Sequence, residues 1–184
     1  DLRLSRGLGD VYKRQPEQLT EKCDQALARA EASFAALEAD TRPATLATVF
    51  GANDQVTGQF ADVLYAYHIK YVHPDKAIRD AATECTIRID DFDSMRGVSR
   101  AFYDRLSAID IEGLTPAEQY LLEKTKRKYE IAGVNRDQEV RDKVRALQLK
   151  ITEIGNDFNT NIREDVRYVE APVSSLAGLP QDYL

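Results

Sequence analysis

Val140, Val144, Leu147, Ile151, Ile154, Phe158 and Ile162 follow one another in steps of four, three, four, three, four and four. Side chains on a strand alternate every two residues, so this spacing fits only the 3.6-residue turn of an α-helix. At about 1.5 Å per residue, a helix from about Asp137 to Asp165 is a rod roughly 40 Å long. A rod of that length needs other long elements beside it.

The rest of the sequence supplies them. From Pro16 to Ala39 the apolar positions Leu19, Cys23, Ala26, Leu27, Ala30, Phe34 and Leu37 mark one face of a second amphipathic helix. Pro16 suits its first turn, and Glu17 lies near the positive end of its dipole. The pair Arg42-Pro43 stops it, because the residue before a proline avoids the helical region. Another helical stretch is predicted from Pro43, interrupted around Gly51 to Asp54, then resuming through Val56, Phe60, Val63, Leu64, Tyr67 and Tyr71. A third opens at Pro74-Asp75, carries Ile78, Ala82, Cys85, Ile89 and Phe92, pauses near Asp93-Ser94 and continues through Val98, Phe102, Leu106 and Ile109. Thr115-Pro116-Ala117-Glu118 reads as a capping box with proline at the first helical position, and Gly133 as the glycine that ends that helix. Beyond Asp165, Val166, Tyr168 and Val169 predict a short strand near 166–170, and Gly178-Leu179-Pro180 a turn. The fold class expected is all-α, an antiparallel bundle of long helices on short loops.

Residues 1–15 stand apart. They carry no amphipathic period, and Asp10-Val11-Tyr12-Lys13-Arg14-Gln15 looks like the translation of a transposon-end adapter used in preparing DNA libraries. The competing reading is a basic arm, but four basic residues beside two acids make a weak one. The segment is therefore set aside as non-native, leaving 16–184 as the structural unit. The full chain has 25 basic and 31 acidic residues, net −6; without 1–15 there remain 21 and 29, net −8. So acidic a domain repels a phosphate backbone unless its basic residues gather on one face, and no such gathering is visible, so no nucleic acid is expected. Nor does any apolar run approach the roughly 18 residues of a membrane span, so no membrane partner is expected. A soluble, cytoplasmic chain is the expectation.

Few residues offer chemistry. His68 and His73 lie five apart across a helix break, and neither precedes a Glu, so the His-Glu-x-x-His zinc signature is absent; both are read as structural or surface residues, with His73 shaping the turn into Pro74. Cys23 and Cys85 sit on apolar helix faces and are read as inert core thiols rather than a disulfide framework. Asp90, Asp91 and Asp93 lack the glycine and terminal Glu of a calcium loop and read as a solvated acidic face. No catalytic or metal residue is assigned. Near the end of the last helix, Asp157, Asn161 and Asp165 recur every four residues beside Phe158 and Ile162. Asparagine is a poor interior helix residue. Asp157, Asn159, Asn161 and Asp165 are therefore predicted to meet another part of a larger protein, an ordinary solvated face being the competing reading.

Several stretches in register resemble the N-terminal helical region of the thimet oligopeptidase family of zinc metallopeptidases, which includes oligopeptidase A, saccharolysin and the dipeptidyl carboxypeptidases. They are His73-Pro74-Asp75-Lys76-Ala77-Ile78-Arg79-Asp80-Ala81-Ala82-Thr83-Glu84, then Tyr129-Glu130-Ile131-Ala132-Gly133-Val134. Arg141-Asp142-Lys143 follows, leading into Asp157-Phe158-Asn159-Thr160-Asn161-Ile162, and then Leu176-Ala177-Gly178-Leu179-Pro180-Gln181-Asp182-Tyr183-Leu184. The pattern is closer to the thimet and saccharolysin type than to the dipeptidyl carboxypeptidases. What the resemblance implies is a helical, two-lobed enzyme whose channel admits short peptides. Its zinc would be held by the two histidines of His-Glu-x-x-His and a further Glu, all C-terminal to this sequence. The chain would be the noncatalytic front of such an enzyme, a wall or lid of the channel whose partner is the missing catalytic region. The rival expectation is a self-standing helical protein-interaction module.

Overall fold

The computed structural model describes residues 15–170, 172–178 and 180, so the segment set aside as non-native lies outside the described residues except for Gln15. Seven α-helices account for most of what is described: α1 (Pro16–Glu38), α2 (Ala52–Gly58), α3 (Ala66–Val72), α4 (Lys76–Gly97), α5 (Arg100–Ser107), α6 (Pro116–Ile131) and α7 (Gln138–Glu164). A π-helical turn, Ala47–Gly51, leads into α2, and a 3₁₀ turn, Val173–Leu176, follows α7. The all-α bundle expected from periodicity is what forms. α4 is its hub, packing against α1, α3 and α7, while α1 also meets α2 and α5, and α5 meets α6.

Local signals explain where the helices begin and end. Asp75 caps α4 by accepting the Ala77 amide at 2.8 Å, and Ser99 caps α5 by accepting the Phe102 amide at 3.1 Å. Thr115 and Glu118 form the expected capping box on α6. α6 closes at Gly133, whose φ of +90° is open to glycine and strained for other residues; its amide bonds Glu130 O and the Val134 amide bonds Tyr129 O, both at 3.0 Å.

Three boundaries differ from the sequence expectations. The second stretch does not break at 51–54, because the π turn passes directly into α2; the interruption falls at 59–65, where successive i→i+3 bonds tighten the chain into turns. The pause expected at Asp93-Ser94 occurs instead at Val98-Ser99, where the Ser99 hydroxyl makes a better start signal than anything four residues earlier. The strand expected near 166–170 does not form. Val166, Tyr168 and Val169 are exposed, and no strand exists among the described residues to take their backbone hydrogen bonds.

The core is lined by α1 more than by any other element, through Leu19, Cys23, Ala26, Leu27, Ala30, Phe34 and Leu37. Aromatic rings carry it across the bundle. Phe34 of α1 lies 6.1 Å from Phe92 of α4 and 5.9 Å from Phe102 of α5, while Phe102 lies 5.4 Å from Tyr129 of α6 and Phe60 lies 5.7 Å from Phe92, all tilted or edge-on. Where α1 crosses α4, Cys23 and Cys85 are joined in a disulfide, which corrects their reading as free thiols. Their burial was legible, since each sits on its helix's apolar face. Their partnership was not, because it depends on a crossing that brings their Cα atoms to 5.8 Å over a sequence separation of 62.

Candidate functional site

α7 is held to the bundle by its polar face. Arg145 forks onto Asp91 of α4 at 2.6 and 3.0 Å, Arg141 donates to the Val98 carbonyl at 3.3 Å, and Arg163 donates to the Lys70 carbonyl at 2.8 Å. Asn156 accepts from the Lys70 ammonium at 3.1 Å. No residue of α7 is fully buried. On its solvent-exposed side, Leu147, Ile151, Ile154, Phe158 and Ile162 form a continuous stripe in which every side chain is 58–70% exposed. That is the reverse of an ordinary surface helix, which turns its apolar stripe to the core and its charges to water. A monomer rarely leaves so long a run of large apolar side chains open, and such runs mark contact surfaces.

Beside α7 the bundle opens into a cleft of about 720 Å³ between α4, α6 and α7. Its floor is built around Arg96, which is buried between the rings of Phe34 and Phe92, 5.6 and 5.5 Å from their centres. The guanidinium donates to Asn53 at 2.7 Å and to Asp93 at 3.0 Å, so its charge is matched inside the fold. Asp93 sits at the mouth; desolvation by the walls pushes its carboxyl above the ordinary value, against the pull of Arg96. Tyr129 lines the same cleft, and burial lifts its hydroxyl to about 12. Tyr67 donates to Asp90 at 2.7 Å, and burial together with that bond raises its pKa as well. Gln148, Ile151 and Thr152 supply the α7 wall, so the apolar stripe borders the cleft at Ile151.

The acidic trio therefore departs from the solvated face read in the sequence. Asp90, Asp91 and Asp93 each have a partner, from α3, α7 and α4 respectively, and Asp90 and Asp93 line the cleft. Among the described residues no three His, Cys, Asp or Glu side chains come together as a metal-holding group. His73 does shape the turn into Pro74: its Nδ1 accepts the Asp75 amide at 3.1 Å, and Arg79 donates to its carbonyl at 2.7 Å. His68 is exposed on α3.

Asp157, Asn159, Asn161 and Asp165 are all exposed; Asp157 and Asn161 flank the apolar stripe, whereas Asn159 lies one turn from both Asn156 and Arg163. Asn159 donates back to the Gly155 carbonyl at 2.8 Å, and Asp165, the residue that follows the helix, is clasped by Arg167 at 2.7 Å. No side chain of another helix reaches any of the four among the described residues. Two buried cations that carry long-range contacts, Lys70 and Arg96, were not singled out from sequence. Lys70 is buried without a carboxylate, its ammonium bonded to Thr86 at 3.2 Å and lying 5.2 and 5.1 Å from the ring centres of Tyr67 and Tyr71. Nothing in its sequence neighbourhood marks it. Arg96 left a faint signal, a partner Asp93 one helical turn earlier.

No protein-family model matches this chain. No helix among the described residues is long and apolar enough to cross a membrane.

Proposed function

We propose that the chain is the noncatalytic N-terminal part of a zinc-dependent oligopeptidase, a metalloendopeptidase that hydrolyses short peptides in its full-length form. The motif resemblance supports the relationship. The observation that carries the reading of the chain as a part is the outward stripe of α7: a helix fixed by its charged face, with its apolar face still to be covered, is what remains when a neighbouring lobe is taken away. In that enzyme α7 would stand as a wall or lid of the peptide channel, with Asp157, Asn159, Asn161 and Asp165 facing the catalytic region. The resemblance puts the zinc ligands and the general base C-terminal to this sequence, and no step of hydrolysis is assigned to the chain. The location proposed is the cytoplasm. There glutathione would keep Cys23 and Cys85 as buried thiols, and the packed core would still join α1 to α4.

The core itself favours a second reading. A single cluster of apolar side chains runs from Leu19 to Val134 without any contribution from α7, as a self-standing helical interaction module would require. The native gene separates the two. A reading frame that continues beyond Leu184 into His-Glu-x-x-His supports the peptidase part; a stop codon directly after Leu184 sinks it and leaves the module. The purified chain is expected to cleave no peptide, and chelator-sensitive hydrolysis by it would contradict the assignment of catalysis to the missing region.

A further inference from the structure

We propose that this chain pairs with a second copy of itself through α7, the two helices running antiparallel about a two-fold axis beside Thr152 and Glu153. The inference does not rest on the peptidase reading. Its first ground is spacing. Val144, Leu147, Ile151, Ile154 and Phe158 alternate steps of three and four, the seam of a two-helix coiled coil, and from Leu147 onward that seam points into solvent. Antiparallel alignment about the stated axis sets Ile151 against Ile154 of the other copy and Leu147 against Phe158, each layer occurring twice by symmetry. Four matched apolar layers result, with no polar residue inside them.

The second ground is charge. The residues flanking that seam on one side, one heptad apart, are Lys143, Lys150, Asp157 and Glu164, all exposed. The first two are basic and the last two acidic. In the antiparallel register flanking positions meet their own kind across the interface. Lys150 then faces Asp157 of the other copy and Lys143 faces Glu164, giving four opposite-charge pairs and no like-charge pair. Parallel alignment offers none of these, since it sets Lys143 across from Gln148 and Lys150 across from Gly155. Charge order along the helix thus selects one orientation and one register. At present Lys143 is engaged only with Glu139 of its own exposed turn, at 2.7 Å, and Lys150 with no side chain among the described residues, so both are free to turn to a partner.

Sedimentation of the 184-residue chain tests this at roughly 50 µM, above the micromolar dissociation constants of modest interfaces. The expected species is a dimer, twice 20.7 kDa. Lys150→Glu alone and Asp157→Lys alone should each weaken dimerisation by about tenfold or more, because each sets two like-charge pairs across the interface. Mixing the two variants should restore the dimer as a heterodimer, in which every 150–157 pair is again opposite in charge. Circular dichroism on each variant shows whether the helices survive the exposed substitution. A monomer at this concentration overturns the proposal, as would be seen if only another lobe of a longer polypeptide fits the stripe. A dimer indifferent to both substitutions, a failure of the mixture to re-form it, or polydisperse aggregates would overturn it equally. The reading frame beyond Leu184 decides the peptidase proposal by a separate measurement; a confirmed dimer gives the stripe to the second copy and leaves that proposal resting on the motif resemblance.

Discussion

α1 and α7 are the two longest stretches of clean helical periodicity in the chain, and the fold treats them in opposite ways. α1 buries seven side chains along its apolar stripe, whereas α7 buries none and turns its stripe outward. Both are 23 residues or longer, and both are followed by an Asp clasped by the Arg two residues on, Asp40 by Arg42 and Asp165 by Arg167. Periodicity announces that a stripe exists and says nothing of what covers it. The difference lies in the neighbours: α1 crosses α4 where Cys85 bonds Cys23 and Phe92 meets Phe34, while α7 crosses a part of α4 that offers Asp91 and the cleft rim.

The sharpest way to break this comparison is to make one change in both helices. Phe34→Ala is expected to cost about 4 kcal/mol in urea unfolding, since the ring touches two others in a closed core. Phe158→Ala in a dilute sample is expected to change stability by no more than about 0.5 kcal/mol. Equal losses would mean that α7 is buried after all. Reducing Cys23–Cys85 comes next. Opening a cross-link over a separation of 62 residues should lower stability by roughly 3 kcal/mol, read as a shift in the urea midpoint with and without reductant. No shift would mean that the packing of α1 on α4 carries the whole junction.

A smaller effect separates how the helices are held. Arg145→Ala removes the ion pair to Asp91, whose partners are each about 40% exposed, and should cost at most about 1 kcal/mol globally. Amide exchange should nevertheless quicken through α7 while α1 stays protected, because α7 depends on such polar anchors. Uniform exchange in both helices would remove the distinction. The smallest effect belongs to Asp40. Its pairing with Arg42, reinforced by Arg105 at 3.3 Å, holds its carboxyl down to about 2. A carboxyl depressed in the folded state contributes stability above its unfolded value of 3.8, and that contribution is lost as pH falls toward 2. Asp40→Asn should therefore flatten the acid limb of a stability profile between those values. An unchanged limb would show that the pairing has no weight in solution.

These contrasts also show what the sequence made legible. Helix identity and most boundaries were readable because caps and periodicity are local: Thr115 with Glu118, Asp75, Gly133 and the runs through α1 and α7 all act within a turn or two. The shift from Ser94 to Ser99 at the end of α4 was within the reach of capping rules, since Ser99 is a ready N-cap. What was not readable depends on crossings. The Cys23–Cys85 bond, the burial of Lys70 against Thr86 and two tyrosines, and the enclosure of Arg96 between two phenylalanines all join residues on different helices. The predicted contact residues on α7, Asp157, Asn159, Asn161 and Asp165, are all exposed, and no side chain of another helix among the described residues bonds to them.

The link between α1 and α4 has a consequence for how the chain comes apart. Every residue from Asp24 to Glu84 lies inside the loop closed by Cys23 and Cys85, including the exposed residues 41 and 42 and the turns at 59–65. A protease cutting there would sever the backbone while the two pieces stayed covalently joined, so the oxidised chain would keep its mass on a denaturing gel. Only with reductant would the pieces part. Oxidation makes this half of the bundle a closed ring, and a ring cut once is still one molecule.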